Sequence, residues 1–251
     1  MKTISSINHL TAPLIMALAV SSNSVRASVP AGPPVFSAPL QITNTWHPFQ
    51  AGGIKVFAGS KDGQRAVTVD YYLTETRAFV LNGVTVQCHV LREMSLEDGE
   101  LAEIADKYFA QADNGAVYCF GERVDTYDNG AVTNHDGSWL VGGPTLPSDP
   151  PATAAAAAPS LSMPANPERG DVFKSEDLFP IVDETDQVIA TGRTVSLPGH
   201  LYGSGIVLRE TTQLDATSRE DKTYAAGVGV LSSRARGESL RLLASSLLPP
   251  H

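Results

Sequence analysis

Apolar and polar positions alternate with a period of two over residues 66–73 (AVTVDYYL). Val67, Val69, Tyr71 and Leu73 share one face there, and Thr68, Asp70 and Tyr72 the other. That period predicts a strand whose two faces meet different surroundings. Val84, Val86, Cys88 and Val90 repeat it directly after Asn82-Gly83. Asp98-Gly99, Asn114-Gly115 and Asn129-Gly130 mark further chain reversals, because Asx-Gly pairs accept the positive φ angles that tight hairpins require. Residues 101–108 (LAEIADKY) also carry apolar side chains at helical spacing, yet the bracketing turns sit at hairpin distance and favour a strand. Strand-like segments resume at 188–197, 205–214 and 223–232, and the Leu-rich stretch 238–248 reads as a closing strand or a helical turn.

Between these blocks the pattern lapses twice. Residues 28–41 (SVPAGPPVFSAPLQ) predict an extended leader. Residues 143–168 hold seven prolines and the run 154–158 of five alanines, which predicts an exposed insertion at about 143–162. The expectation is one all-β domain over residues 42–245, a single curved antiparallel sheet or half-barrel built from hairpins with little helix, and a short tail at 246–251.

The first 27 residues have another character. Lys2, the apolar run 10–20 and Val25-Arg26-Ala27 form the three zones of a cleaved export signal, and the run is too short to span a bilayer. A periplasmic or extracellular protein without stable membrane insertion is therefore expected. Losing Lys2 and Arg26 takes the formal charge from −9 to −11. With no basic run, that charge disfavours nucleic acid as a partner. An oxidising compartment would favour a Cys88–Cys119 bridge. The hairpin register opposes it, because one strand would separate the two cysteines and place their Cα atoms about 10 Å apart. Either the strand order is not sequential or both thiols stay reduced and buried, and the second reading is favoured.

Five phrases in order resemble those of a group of exported bacterial β-rich proteins of unknown activity. They are Asn44 with Trp46-His47-Pro48-Phe49, Tyr118-Cys119-Phe120-Gly121-Glu122 and Gly137-Ser138-Trp139. Met163-Pro164-Ala165-Asn166-Pro167 with Gly170-Asp171, and Tyr224-Ala225-Ala226-Gly227-Val228-Gly229, complete the set. Ala226 stands where that group has proline, and Cys119 where it has an aromatic. The resemblance implies a curved sheet similar to the half-barrels that carry lipids or lipoproteins through the bacterial envelope. It brings no catalytic residue.

Candidate chemistry is sparse. The six histidines include no HxxxH or HExxH pair, and the two cysteines form no CxxC, so neither a metal nor a cofactor is expected. Acidic stretches at 93–106 and 128–136 follow no calcium-loop pattern and read as solvated hairpin tips. Gly203-Ser204-Gly205 lacks the preceding glycine of a nucleophile elbow. The aromatic residues remain, either as the core of the sheet or as the lining of a cavity. Trp46, Phe49, Tyr108, Tyr118, Phe120 and Trp139 are the candidate ligand-binding set. The leading functional expectation is binding of an apolar small molecule or envelope component. A hydrolase whose carboxylates assemble only in the fold, and a structural or adhesive surface component, are the alternatives.

Overall fold

The computed structural model describes residues 29–197 and 199–247, so the export-signal expectation lies outside the described residues. Among the described residues all regular structure is strand. A first meander runs through β1 (Ile54–Lys61), β2 (Gln64–Leu81), β3 (Val84–Glu97), β4 (Glu100–Gln111) and β5 (Val117–Asp128). Four short strands follow: β6 (Ala131–Asn134), β7 (Trp139–Val141), β8 (Ala154–Ala156) and β9 (Ser160–Met163). A second meander comprises β10 (Val172–Leu178), β11 (Val182–Leu197), β12 (His200–Thr211), β13 (Arg219–Ala225), β14 (Gly229–Ala235) and β15 (Glu238–Ser245).

The all-β expectation holds, and the sheet closes further than a half-barrel. β15 pairs antiparallel with β1 and joins the two meanders into one sheet. At the far edge β9 pairs with β5 and lies against β10, where the Ser160 hydroxyl accepts from the Asp177 N–H at 3.1 Å. One curved sheet is thereby nearly closed into a barrel. Asp62-Gly63, Asn82-Gly83, Asp98-Gly99 and Asn129-Gly130 all have positive φ at both residues, as two-residue hairpins demand. The 101–108 segment is strand, and so is the Leu-rich end. The 223–232 segment breaks at Gly227 into β13 and β14.

The outer face of β2–β5 carries a second layer. Phe79, Val86, Cys88, Tyr108 and Phe120 are buried beneath the leader and β7–β8. Phe36 of the leader meets Tyr118 and Phe120 edge-on at 5.7 and 5.2 Å. The Ala/Pro tract, expected to be exposed, is exposed only in part. Its Ala154–Ala156 segment pairs parallel with β7, and Asp149 is buried against Arg77 with bonds of 2.7 and 2.8 Å. Proline-rich chain can pack when a buried ion pair and a few ladder bonds anchor it. Cys88 and Cys119 are free and buried on β3 and β5, with β4 between them, as the register reading favoured.

Candidate functional site

The alternation over residues 66–73 has an unexpected sense: Thr68, Asp70 and Tyr72 are the buried face. They point into the barrel. Leu91, Glu93 and Ser95 on β3, Lys107 and Phe109 on β4, and Glu220, Lys222 and Tyr224 on β13 do the same. Together with Lys55 and Phe57 on β1, Glu184 on β11 and Glu210 on β12, they line a cavity of about 390 Å³. Six carboxyl groups (Asp70, Glu93, Glu184, Glu210, Glu220 and Glu238) and three lysines (Lys55, Lys107 and Lys222) face it.

One end of the barrel is plugged by residues 44–50. Asn44 fixes this segment: its Nδ2 donates to the carbonyls of Gly115 and Pro164 at 3.0 Å each, and its Oδ1 accepts from the N–H groups of Trp46 and His47. Across the mouth, the Gly227 N–H donates to the Thr45 carbonyl at 2.7 Å. Trp46, His47 and Pro48 thus roof the cavity. The His47 ring lies 4.5 Å from that of Phe109, and Phe49 stacks on His89 at 4.2 Å. Gly229 must stay a glycine, because its φ is +79° and a Cβ there would sit 3.1 Å from Lys55 Nζ and 3.3 Å from Pro48.

The charges sort into two groups. Lys222 lies 2.6 Å from Glu210 and 3.5 Å from Glu220, while Lys107 lies 3.5 Å from Glu93 and 4.0 Å from Glu122. Both lysines are held well above the usual range. For Lys107 the Glu93 carboxylate is the main cause, and for Lys222 the surrounding glutamates overcome the opposing effect of burial. Burial pushes Glu184 up to about 8, and its carboxyl hydrogen-bonds to Glu210.

The second group lies under the plug. Lys55 faces Asp70 directly across the β1–β2 ladder, and both are buried. Among the described residues Lys55 Nζ makes no hydrogen bond or close ion pair; it stands 5.5 Å over the Tyr72 ring. Asp70 Oδ1 is buried without a hydrogen-bond partner. Burial lowers Lys55 to about 8 against the pull of Asp70. Burial and Glu93 raise Asp70 to about 7, and burial with Lys55 drives His47 down to about 3. A neutral imidazole, a lysine whose ammonium is weakened by burial and a carboxyl whose ionisation burial opposes therefore share one corner.

Of the aromatic candidates, Trp46 reaches the cavity. Phe49 packs behind it on Tyr72 and His89. Tyr108, Tyr118 and Phe120 belong to the packed outer layer, and the buried Trp139 donates its indole N–H to Glu176 at 3.2 Å. The sequence reading passed over Lys55, Asp70, Lys107, Lys222, Glu184 and Glu210. A signal for them exists in charges placed at strand period, as in Glu220-x-Lys222-x-Tyr224. Among the described residues no cluster of three or more His, Cys, Asp or Glu side chains is arranged to hold a metal ion.

No family model matches the chain, and no curated protein matches it. Among solved structures it is similar to a Parabacteroides distasonis protein assigned provisionally as a lipoprotein, with 10% identity over 81% of this chain and 99% of that one and a TM-score of 0.40. At that score the likeness carries no argument about this chain.

Proposed function

We propose that this chain is an exported binding protein whose barrel cavity holds a small polar ligand, hydroxylated or zwitterionic, with one apolar face. Lys55 and Asp70 carry the proposal. Asp70 Oδ1 is buried without a hydrogen-bond partner, which is costly in an interior, and the ammonium of the buried Lys55 beside it makes no hydrogen bond or ion pair among the described residues, so the pair calls for a complement. A ligand that accepts from Lys55 and donates to Asp70 supplies both bonds. Trp46, Pro48, Tyr72 and Phe109 offer flat apolar surface beside the pair. A volume of about 390 Å³ suits a molecule the size of an amino acid or monosaccharide. Export rests on the pattern of residues 1–27.

An acyl chain is the weaker version of the ligand, since six carboxyl groups and three lysines around the cavity would have to be desolvated against it. A filled structural module has less support still. The hydrolase alternative draws on Glu184 and Glu210, hydrogen-bonded carboxyls of which Glu184 is held protonated at neutral pH.

The test is native mass spectrometry of the full protein, followed by thermal-shift measurements with amino acids, monosaccharides and palmitate. A polar ligand at a hundred times its Kd should add about 2.7 kcal/mol of stability. Lys55→Met and Asp70→Asn should abolish that gain. No stabilisation by any polar compound, or stabilisation by palmitate alone, would overturn the proposal. Turnover of nitrophenyl glycosides that is lost in Glu184→Gln would move it to the hydrolase.

A further inference from the structure

Strand alternation gives β12–β15 an outer face that faces away from the cavity just described. The β11–β12 hairpin arches back over that face. Val195, Ser196 and Leu197 of the hairpin and Thr223, Ser232, Arg234, Ser239 and Arg241 of the sheet enclose a groove of about 310 Å³. β14 and β15 are the wall common to both spaces: Ser233 and Leu240 face the cavity, while their neighbours Arg234, Ser239 and Arg241 face the groove.

The groove's charge is opposite to that of the chain. Asp221, its one acid, is held by Arg209 through two bonds of 2.8 and 2.9 Å. Arg234 and Arg241 have no ion pair or hydrogen bond among the described residues. The register places Arg234 opposite Ser239 and Arg241 opposite Ser232, so the two arginines are diagonal neighbours on adjacent strands. Diagonal Cβ atoms lie about 7–8 Å apart, within which two guanidinium groups can close on one anion. Arg234 also stands opposite Asp221 of β13, but that carboxylate is engaged by Arg209 and makes no ion pair with Arg234, so an anion placed between Arg234 and Arg241 is drawn by both guanidinium groups. The hydroxyls of Ser196, Thr223, Ser232 and Ser239 supply further donors around the same space.

We propose that this groove is a second binding site, independent of the cavity, for a phosphoryl oxyanion clasped by Arg234 and Arg241. Small metabolites and lipid headgroups both bear that phosphoryl group, and the test separates the two sources.

Isothermal titration of the full chain with inorganic phosphate and with glucose 6-phosphate is run at low salt. Co-sedimentation with phosphatidylglycerol vesicles is the second arm. Arg234→Gln, Arg241→Gln and the double variant are compared with Arg169→Gln, which alters an arginine outside the groove. Each single variant should bind at least about tenfold more weakly, the scale of one lost charge-assisted hydrogen bond, and the double variant not measurably. Arg169→Gln should bind as the parent does. Glucose 6-phosphate binding without sedimentation identifies a soluble ligand, and sedimentation lost in the double variant identifies a headgroup. Unchanged circular dichroism and melting temperature establish that the variants fold. No binding in either arm, or equal binding by the double variant, overturns the proposal whatever the cavity binds.

Discussion

Replacing Asp149 by alanine tests how the Ala/Pro tract is held to the barrel. Arg77 is 7% exposed, the Asp149 side chain is fully buried, and their fork-to-fork contact spans 2.7 and 2.8 Å. Arg77 also stacks on Phe79 and Tyr108 at 4.9 Å, so it cannot swing out to water without abandoning both rings. Asp149 in turn accepts from the Thr145 and Leu146 N–H groups at 2.8 Å each. Alanine therefore leaves a guanidinium buried without a counter-ion, a loss of about 3–5 kcal/mol. The two freed N–H groups add little, because Thr145 and Leu146 are exposed and water can replace the carboxylate. Equilibrium urea unfolding of the parent and variant would read the difference, and 4 kcal/mol corresponds to roughly 8–16 °C in melting temperature. Removing both charges, as Arg77→Met with Asp149→Leu, should recover most of the loss, since apolar replacements of a buried pair are often neutral. If the single variant costs less than about 1 kcal/mol, or the double variant is worse than the single, the pair is not what fastens the tract.

Three further outcomes follow from other parts of the barrel. Burial raises Glu184 to about 8, so the folded state holds a proton that the unfolded chain releases near pH 4.5. Stability from this group is therefore full below that pH and lost as pH rises towards 8, and Glu184→Gln should flatten the fall in urea midpoint between pH 5.5 and 8. Gly59→Ala would drive a Cβ into the Ser239 carbonyl oxygen, so amide exchange along the β1–β15 seam should accelerate by orders of magnitude; parent-like protection would refute this seam geometry. Burial raises both cysteine thiols, so neither should react with a disulfide reagent until urea unfolds the chain, and an intact mass two daltons low would show a bridge instead.

The strands were legible because their evidence is local. Asn82-Gly83 and Asp98-Gly99 need only their own φ angles to turn the chain, and the period of two over residues 66–73 needs only the pleat. Even the helical spacing of Leu101, Ile104 and Tyr108 could be overruled by turns on either side. Burial of the proline-rich tract was not legible, because its anchor is Arg77, 72 residues away on another strand.

The charged lining of the cavity was not legible, for a physical reason. Reading inward as apolar treats a sheet as a cover over a hydrocarbon core, and a barrel with a charged lumen reverses that for the strands that line it. On β2 the aliphatic Val67 and Val69 turn outward while Asp70 turns in. Asp70 faces inward opposite Lys55 of β1 and Glu93 of β3, and Lys107 of β4 acts on it from the same inner face. Lys107 and Lys222 each answer a carboxylate on the adjacent strand, Glu93 of β3 and Glu210 of β12, and Lys222 also feels Glu184 of β11. Lys55 and Asp70 are the exception. They face each other across adjacent strands, yet neither satisfies the other, whereas Lys107 and Lys222 lie 3.5 and 2.6 Å from Glu93 and Glu210, and this contrast is what the proposed ligand site rests on.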